Sequence, residues 1–389
     1  MKMLITLLID TIISLFFIKS KLKKSIVITS TRNESFNFNS KYLFEYLIRD
    51  TDNIVYYIIN NEKKRNELNK LYPNQHFLNT NLLRHKIIAL KSKFWISSTF
   101  ELPLTSLINN KNRICLHLGH GVPLKKIGFM ENNITIPQYI NRKIRTRIFT
   151  HIICYSDFFE PYLKKSFKNE KATYLKLGQP RNDYLVTDDE KSIKLLAKYT
   201  GITENELNNK VLILYSPTWR NYSDTELFPF PDYNFSALNH YLEKNNILIF
   251  IRAHPFYPVI FPSGFYFNKN IINLSSDVIV DISEVLSTFD MLLTDYSSIY
   301  LDYLIVDKKI GFIPYDFNTY EKNIGFTIDY NTFTPGDKIS SQNELLEFIT
   351  SEDHFSEKRK NIRSIINLKY NNCEDIAHFI LHNYKKKPK

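Results

Sequence analysis

Short, mostly apolar runs separated by segments of helical period recur along the whole chain. Residues 25–30 (SIVITS), 54–59, 113–118, 151–155, 211–215, 247–251 and 291–294 each read as a strand, and Trp95-Ile96-Ser97-Ser98 as another buried strand end. Between them lie segments with helical spacing. One begins at Lys41 (KYLFEYLIRD), a charged one covers 62–71, a basic one 141–149, and one opens at Ser156-Asp157 and runs through Leu163. Strands that alternate with helices predict a parallel α/β architecture. Further helices over 343–381 are expected to close the second half, with the last one free to cross back over the first.

The stretch 282–329 concentrates this pattern: a helical segment around Val285 and Leu286, the strand 291–294, then Asp295-Tyr296-Ser297-Ser298 opening an apolar helix through Val306. The first turn of a helix leaves N–H groups unpaired at the positive end of its dipole. With Ser297 and Ser298 beside it, this turn predicts an anion site. The competing reading is that either serine simply caps the helix. Two other strands of the second half also deliver chemistry at their carboxyl ends. Residues 211–215 lead into Ser216-Pro217-Thr218-Trp219-Arg220, and 247–251 into Arg252-Ala253-His254-Pro255. Arg220 and Arg252 suit bidentate contact with a diphosphate, and His254 suits donation to it or to a leaving phosphate.

In the first half, the strand 113–118 runs into Gly119-His120-Gly121-Val122-Pro123-Leu124-Lys125-Lys126. Two glycines around a histidine directly after a strand allow close backbone approach and point an imidazole out at the sheet edge where α/β folds bind ligands. Histidine is also the side chain best suited to general base work near neutral pH. The plainer alternative is a histidine that hydrogen-bonds its own loop. Lys125 and Lys126 read as phosphate or membrane contacts.

Length and composition narrow the picture. At 389 residues with 43% hydrophobic and 14% aromatic content, the chain is long enough for two domains with substantial cores. The excess of 51 Lys and Arg over 40 Asp and Glu gives +11, which suits nucleic acid, an anionic membrane surface or a phosphate-rich substrate. Cys115, Cys154 and Cys373 are odd in number and far apart, which indicates neither a disulfide framework nor a zinc site. Residues 3–18 are apolar apart from Thr6, Asp10, Thr11 and Ser14, and 19–24 supply four lysines. That run is short against the roughly 20 residues of a spanning helix and carries no signal-cleavage site. Residues 1–24 are therefore expected to form a membrane-associating helix on an anionic surface, or a first helix packed on its own domain. Domains are expected over 25–177 and 178–389, with the boundary in Gly178-Gln179-Pro180-Arg181-Asn182-Asp183.

No phosphate-binding GxxxxGK[ST] loop, GxGxxG fingerprint, HExxH, GxSxG or EF-hand spacing is present. No acidic triad has metal spacing; Asp295 and Asp302 read as orienting the turn and its helix, so no metal-ligand residues are indicated and no cofactor is expected, while a divalent-cation requirement stays open. The lysines are dispersed and no nucleic-acid motif appears, which leaves a non-catalytic basic binder as the weaker alternative to an enzyme.

Taken in order, HGVPLKKIG, GQPRNDYL, LILYSPTWR, IRAHP and TDYSSIYLDYLIVDKKIGFIPYDFNTYEKNIGFTIDY resemble the CDP-glycerol glycerophosphotransferase family, the primases and polymerases of teichoic acid and related capsular polymers. The resemblance runs from about Ser25 to the C-terminus. It implies two Rossmann-like domains facing across a cleft, a glycosyltransferase-B-like fold. The N-terminal domain would take the acceptor and the C-terminal domain the CDP donor. It also implies a peripheral protein on the cytoplasmic face of the membrane, acting on CDP-glycerol and an undecaprenyl-diphosphate-linked or polymer acceptor, without nucleic acid. On the matching motifs, His120 corresponds to the base toward the acceptor hydroxyl and His254 to a second essential histidine near the donor phosphates. Arg252, Ser297 and Ser298 would hold the diphosphate, Arg220 would assist, and Gly121 and Asp295 would support. CDP-ribitol or a nucleotide sugar is the alternative donor. The chain departs from the family pattern at Gly119, where an aromatic residue is common, and at Val122, where threonine is.

Overall fold

The structure, a computed structural model, describes residues 2–73, 76–186, 189–253 and 257–385. The chain divides into two compact units. The first comprises Met1–His120, Gly128–Asp183 and Lys369–Lys389, the second Gly121–Ile127 and Tyr184–Leu368.

The first unit is built on a seven-stranded sheet of β1 (Lys23–Thr29), β2 (Ile54–Ile58), β3 (His76–Leu78), β4 (Ser92–Ser97), β5 (Ile114–His117), β6 (His151–Ile153) and β7 (Thr173–Leu175). Every pairing is parallel, in the order β3-β2-β1-β4-β5-β6-β7. Ile26, Val27, Ile28 and Leu116 are wholly buried, as strands covered on both faces require. The helix Phe38–Asp50 starts three residues before the expected Lys41, so Asn39 and Ser40 lie in its buried first turn. The return helix Asn372–Lys385 packs against it.

The N-terminal helix, Lys2–Leu15, is oriented against the usual rule. Its polar residues face the unit. Asp10 is buried, pairs with Lys86 at 2.5 Å and accepts from the Thr105 amide at 3.1 Å; the Thr11 hydroxyl accepts from the Leu107 amide at 3.1 Å. Ile5, Leu8, Ile9, Ile12 and Leu15 are exposed. No helix among the described residues is long and apolar enough to cross a membrane.

The second unit contains β8 (Val211–Ser216), β9 (Thr225–Glu226), β10 (Ile247–Ile251), β11 (Val259–Ile260), β12 (Ile271–Asn273), β13 (Met291–Thr294), β14 (Lys309–Phe312) and β15 (Asp337–Lys338). Six of them form a parallel sheet in the order β12-β10-β8-β13-β14-β15, and β9 and β11 pair separately. The strand order reverses between β8 and β13, whose ends are level: Thr294 pairs with Ser216, and its hydroxyl donates to the Ser216 carbonyl at 2.7 Å. The sheet's faces carry the core of Ile213, Tyr215, Ile249, Ile251 and Leu293 with Leu238, Leu345 and Phe348 from the covering helices.

Several boundaries differ from the sequence reading. The segment around Val285 forms two short 3₁₀ turns, Ile282–Glu284 and Leu286–Thr288. The helix after Ser298 is regular only over Ile299–Tyr303. Its continuation tightens to bonds three residues apart, Ile305 to Asp302 and Val306 to Tyr303, and ends at Asp307 in the left-handed conformation (φ 54°). The division between units falls after Asp183, six residues beyond the expected 177/178, because the Gln179–Asp183 loop is hydrogen-bonded into the first unit. The return helix belongs to that unit too.

Candidate functional site

In the first unit the histidine turn is fixed through its backbone. β5 ends at His117, a buried ring packed 4.7 Å from Phe167 and 5.0 Å from Phe149. Its Nδ1 accepts from the Gly119 amide at 3.1 Å, and burial, with His120 adding to the effect, pushes its pKa down to about 3. It is a neutral wedge that folds the turn. Gly119 at φ 73° and Gly121 at φ 153° supply the backbone conformations that side chains with a Cβ rarely adopt. The Gly119 carbonyl accepts from Asn39 Nδ2 at 2.7 Å, and the His120 carbonyl from Arg181 Nη1 at 2.9 Å. Asn39 Oδ1 in turn accepts from the Arg181 amide at 3.1 Å, closing a ring of contacts around the turn. The His120 side chain is exposed, its ring 5.6 Å from that of Phe38.

The loop that supplies Arg181 is itself anchored. Asp183 accepts from the amides of Asn372 and Cys373, at 2.9 and 2.8 Å, and Asn372 Nδ2 donates to the Gln179 carbonyl at 3.1 Å. The return helix thus holds the loop that holds the histidine turn. Gly178 is required here, since a Cβ would meet Asn372 Oδ1 at 1.9 Å. Sequence reading located GQPRNDYL as a motif but assigned none of these contacts, and it passed over Asn39 and His117. Adjacency to the Gly119 turn was the available signal for His117. Nothing local marked Asn39, which acts across 80 residues of chain.

In the second unit the polar residues after β8 and β13 meet in a buried ion cluster. Arg220 is 1% exposed. Its Nη1 donates to Asp295 at 2.6 Å and to the Thr218 carbonyl, while Nη2 and Nε reach Asp316 at 2.8 and 3.1 Å. Tyr222 donates to the same Asp316 at 2.5 Å, and Asp295 also accepts from the amides of Thr218 and Tyr296 at 2.8 and 2.6 Å. The rings of Tyr315, Tyr296 and Tyr320 surround the guanidinium at 4.5, 5.2 and 5.5 Å. Burial opposes Arg220's charge, yet Asp295 and Asp316 hold it above its ordinary pKa. Asp316, likewise opposed by burial, is held below the carboxylate range by Arg220 and Tyr222. The donors expected to reach a diphosphate from Arg220 are therefore directed at carboxylates, and Asp295 ties Arg220 to the amides of Thr218 and Tyr296.

Arg252 follows β10 and is half-buried. Its Nη1 donates to the carbonyls of Leu274 and Ile279 at 3.1 and 2.8 Å, and Nη2 to Val280 at 3.2 Å. It closes the turn after β12. Ser297 and Ser298 are half-exposed; Ser298 makes no capping hydrogen bond, and Ser297 Oγ accepts weakly from the Ile299 amide at 3.4 Å. The pure capping role is thus weak. His254 lies outside the described residues. Gly121 opens the segment 121–127, which joins the second unit: the Thr327 amide donates to the Leu124 carbonyl at 2.8 Å and the Thr327 hydroxyl to the Lys125 carbonyl at 2.7 Å. Among the described residues no group of three or more His, Cys, Asp or Glu is placed to hold a metal ion, and Cys115, Cys154 and Cys373 are buried free thiols.

Comparison with known proteins places this arrangement. A teichoic acid poly(glycerol phosphate) polymerase of Bacillus spizizenii is 26% identical over 360 residues, covering 86% of this chain and 85% of that protein. The teichoic acid ribitol-phosphate polymerase TarK of Staphylococcus aureus is 24% identical over 352 residues, 87% of this chain and 64% of its own length. Among solved structures, the wall teichoic acid polymerase TagF, as a His→Asn variant soaked with CDPG, superposes with a TM-score of 0.76 at 21% identity, over 96% of this chain and 92% of that one. Two parallel-sheet units matched to that structure give a glycosyltransferase-B-like fold. The pattern described as CDP-Glycerol:Poly(glycerophosphate) glycerophosphotransferase matches residues 11–377, so the chain belongs to the CDP-glycerol:poly(glycerophosphate) glycerophosphotransferase family and is a transferase enzyme of teichoic acid biosynthesis.

Proposed function

We propose that the protein transfers glycerol phosphate from CDP-glycerol to a hydroxyl of a lipid-linked or growing polymer acceptor, releasing CMP. The observation that carries this reading is the histidine turn: an exposed imidazole on a backbone clamped at both neighbouring carbonyls by Asn39 and Arg181. Such a group is placed to take the proton of an attacking hydroxyl. The reaction is then an in-line displacement at the donor's β-phosphorus. The O–P bond forms as the bond to CMP breaks, and the hydroxyl proton passes to His120. Cations and backbone amides offset the charge of the diphosphate. Arg252, His254, Ser297 and Ser298 are assigned to that side by the family motifs, and the ion pairs of Arg220 with Asp295 and Asp316 favour a positioning role for Arg220 over direct contact. CDP-ribitol is the second reading of the donor, favoured by the ribitol-phosphate relative.

The N-terminal helix supports action at an anionic membrane face. Its apolar side is exposed while Asp10 and Thr11 fix its polar side, and Lys19, Lys21, Lys23 and Lys24 follow. The test is CMP release from CDP-glycerol, CDP-ribitol and UDP-sugars, with and without membrane extract carrying lipid-linked acceptors. Release from CDP-glycerol that needs the extract and is lost in His254→Ala supports the proposal. Release from CDP-ribitol alone changes the donor, and release from none, in extract that supports a related enzyme, removes the catalytic reading.

A further inference from the structure

A donor diphosphate in the second unit needs a cation, and the ion cluster does not supply one from Arg220, whose Nε, Nη1 and Nη2 all donate to protein acceptors. The net charge of Arg220 with Asp295 and Asp316 is −1, which would repel a phosphate. Among the described residues Lys125 is a further cation at this place. The segment 121–127 is stitched to 325–327 of the same unit, and it brings Lys125 alongside the cluster. Its ammonium stands 5.6 Å from the centre of the Trp219 ring, which is itself stacked on Tyr257 at 4.7 Å and 12°. Trp219 is the residue immediately before Arg220 at the end of β8.

Lys125 is half-buried, and among the described residues its ammonium has neither a hydrogen bond nor an ion pair, only the ring face. The neighbouring Lys126 is differently placed, its stem running over Gly325, where a Cβ would stand 3.0 Å from Lys126 Cε. A crowded cation without a hydrogen-bonded counter-ion is costly to keep charged, and a phosphate would supply one. Burial, assisted by Arg220 and opposed by Asp295, pushes Lys125 down to about 8 in the unliganded protein.

We propose that Lys125, delivered by the segment that follows the histidine turn, is the cation that contacts the diphosphate of the cytidine-diphosphate donor in the second unit, with Arg220 as the residue that positions Asp295 and the strand ends around it. This rests on the donor class proposed above. It turns Arg220, expected to assist in binding the diphosphate, into an organising residue, and narrows the phosphate-or-membrane reading of Lys125 to the donor diphosphate.

The experiment is binding of CDP and of cytidine to the full chain and to Lys125→Gln, by calorimetry at pH 7 and pH 9, alongside thermal denaturation. Without the charge-assisted bond from Lys125 to the diphosphate, CDP is expected to bind roughly 10- to 100-fold more weakly while cytidine changes less than about twofold. Wild-type affinity for CDP is expected to fall between pH 7 and pH 9, as Lys125 loses its proton, and the variant's to stay flat. Its melting temperature is expected to stay level or rise, since an uncompensated cation has been removed. CDP affinity within twofold of wild type, equal weakening of CDP and cytidine, or an unchanged pH slope would each overturn the proposal. Because CDP binding is read without turnover, a chain that released no CMP from CDP-glycerol would defeat the functional reading while leaving this test intact.

Discussion

The histidine turn of the first unit and the arginine cluster of the second begin from the same kind of sequence signal, a polar side chain just past a buried parallel strand. They finish as opposites. At His120 the protein grips the peptide: Asn39 and Arg181 take the carbonyls of Gly119 and His120, and the side chain is exposed. At Arg220 it grips the side chain itself, between Asp295 and Asp316, with the guanidinium out of solvent. The two sites differ in where these partners attach: on the backbone at the histidine turn, and on the guanidinium itself at Arg220.

That contrast is open to direct attack. The largest expected effect is on turnover: His120→Ala should lower CMP release by about 10²- to 10⁴-fold, with the urea midpoint unchanged. Near wild-type turnover would remove the base assignment. Arg220→Met should act on stability first, costing about 3–5 kcal/mol by urea denaturation because two carboxylates lose their buried partner. A loss below about 1 kcal/mol would show that the cluster organises without stabilising. Asn39→Ala lies between the two cases. Leaving the Gly119 carbonyl and the Arg181 amide without their partner is expected to cost about 1–3 kcal/mol, with turnover falling more than donor affinity. Equal loss in both would make Asn39 a general fold residue.

The last test is a pH slope, which is small over any single pH unit. The His117 pKa of about 3 in the folded protein lies below the ordinary value near 6.5. Between these values the unfolded chain binds a proton that the folded chain does not. The contribution of His117 to stability is therefore complete above about pH 6.5 and is lost as pH falls toward 3, by at most about 1.4 kcal/mol per unit. Urea titrations of wild type and His117→Asn at pH 7, 6, 5 and 4 should differ by that slope. Parallel curves would mean the ring is accessible to protons.

Much of this architecture was legible in the chain. Short, mostly apolar runs such as ILIFI and LILYS bounded by polar residues read as buried strands, and β8, β10 and β13 lie within a residue of where the pattern put them. The helix after Ser298 was read too long because an apolar run through Val306 continues the burial pattern after the regular hydrogen bonding has ended. The alternatives for residues 1–24 were not separable from sequence, since an amphipathic helix has the same period whichever face it turns inward. Here the pairing of Asp10 with Lys86 turns the polar face in.

The sequence by itself determined the strand and helix order, the family, and the turn on which His120 sits, because these depend on short-range periodicity and on glycines at fixed offsets. Only the tertiary structure decided what each cation does. Arg220 finds Asp295 and Asp316 from 75 and 96 residues away, and Lys125 comes to lie against Trp219 through a segment exchanged into the other unit. Electrostatic partnership falls off over a few ångströms of space and is indifferent to separation along the chain, so no local reading could have assigned it.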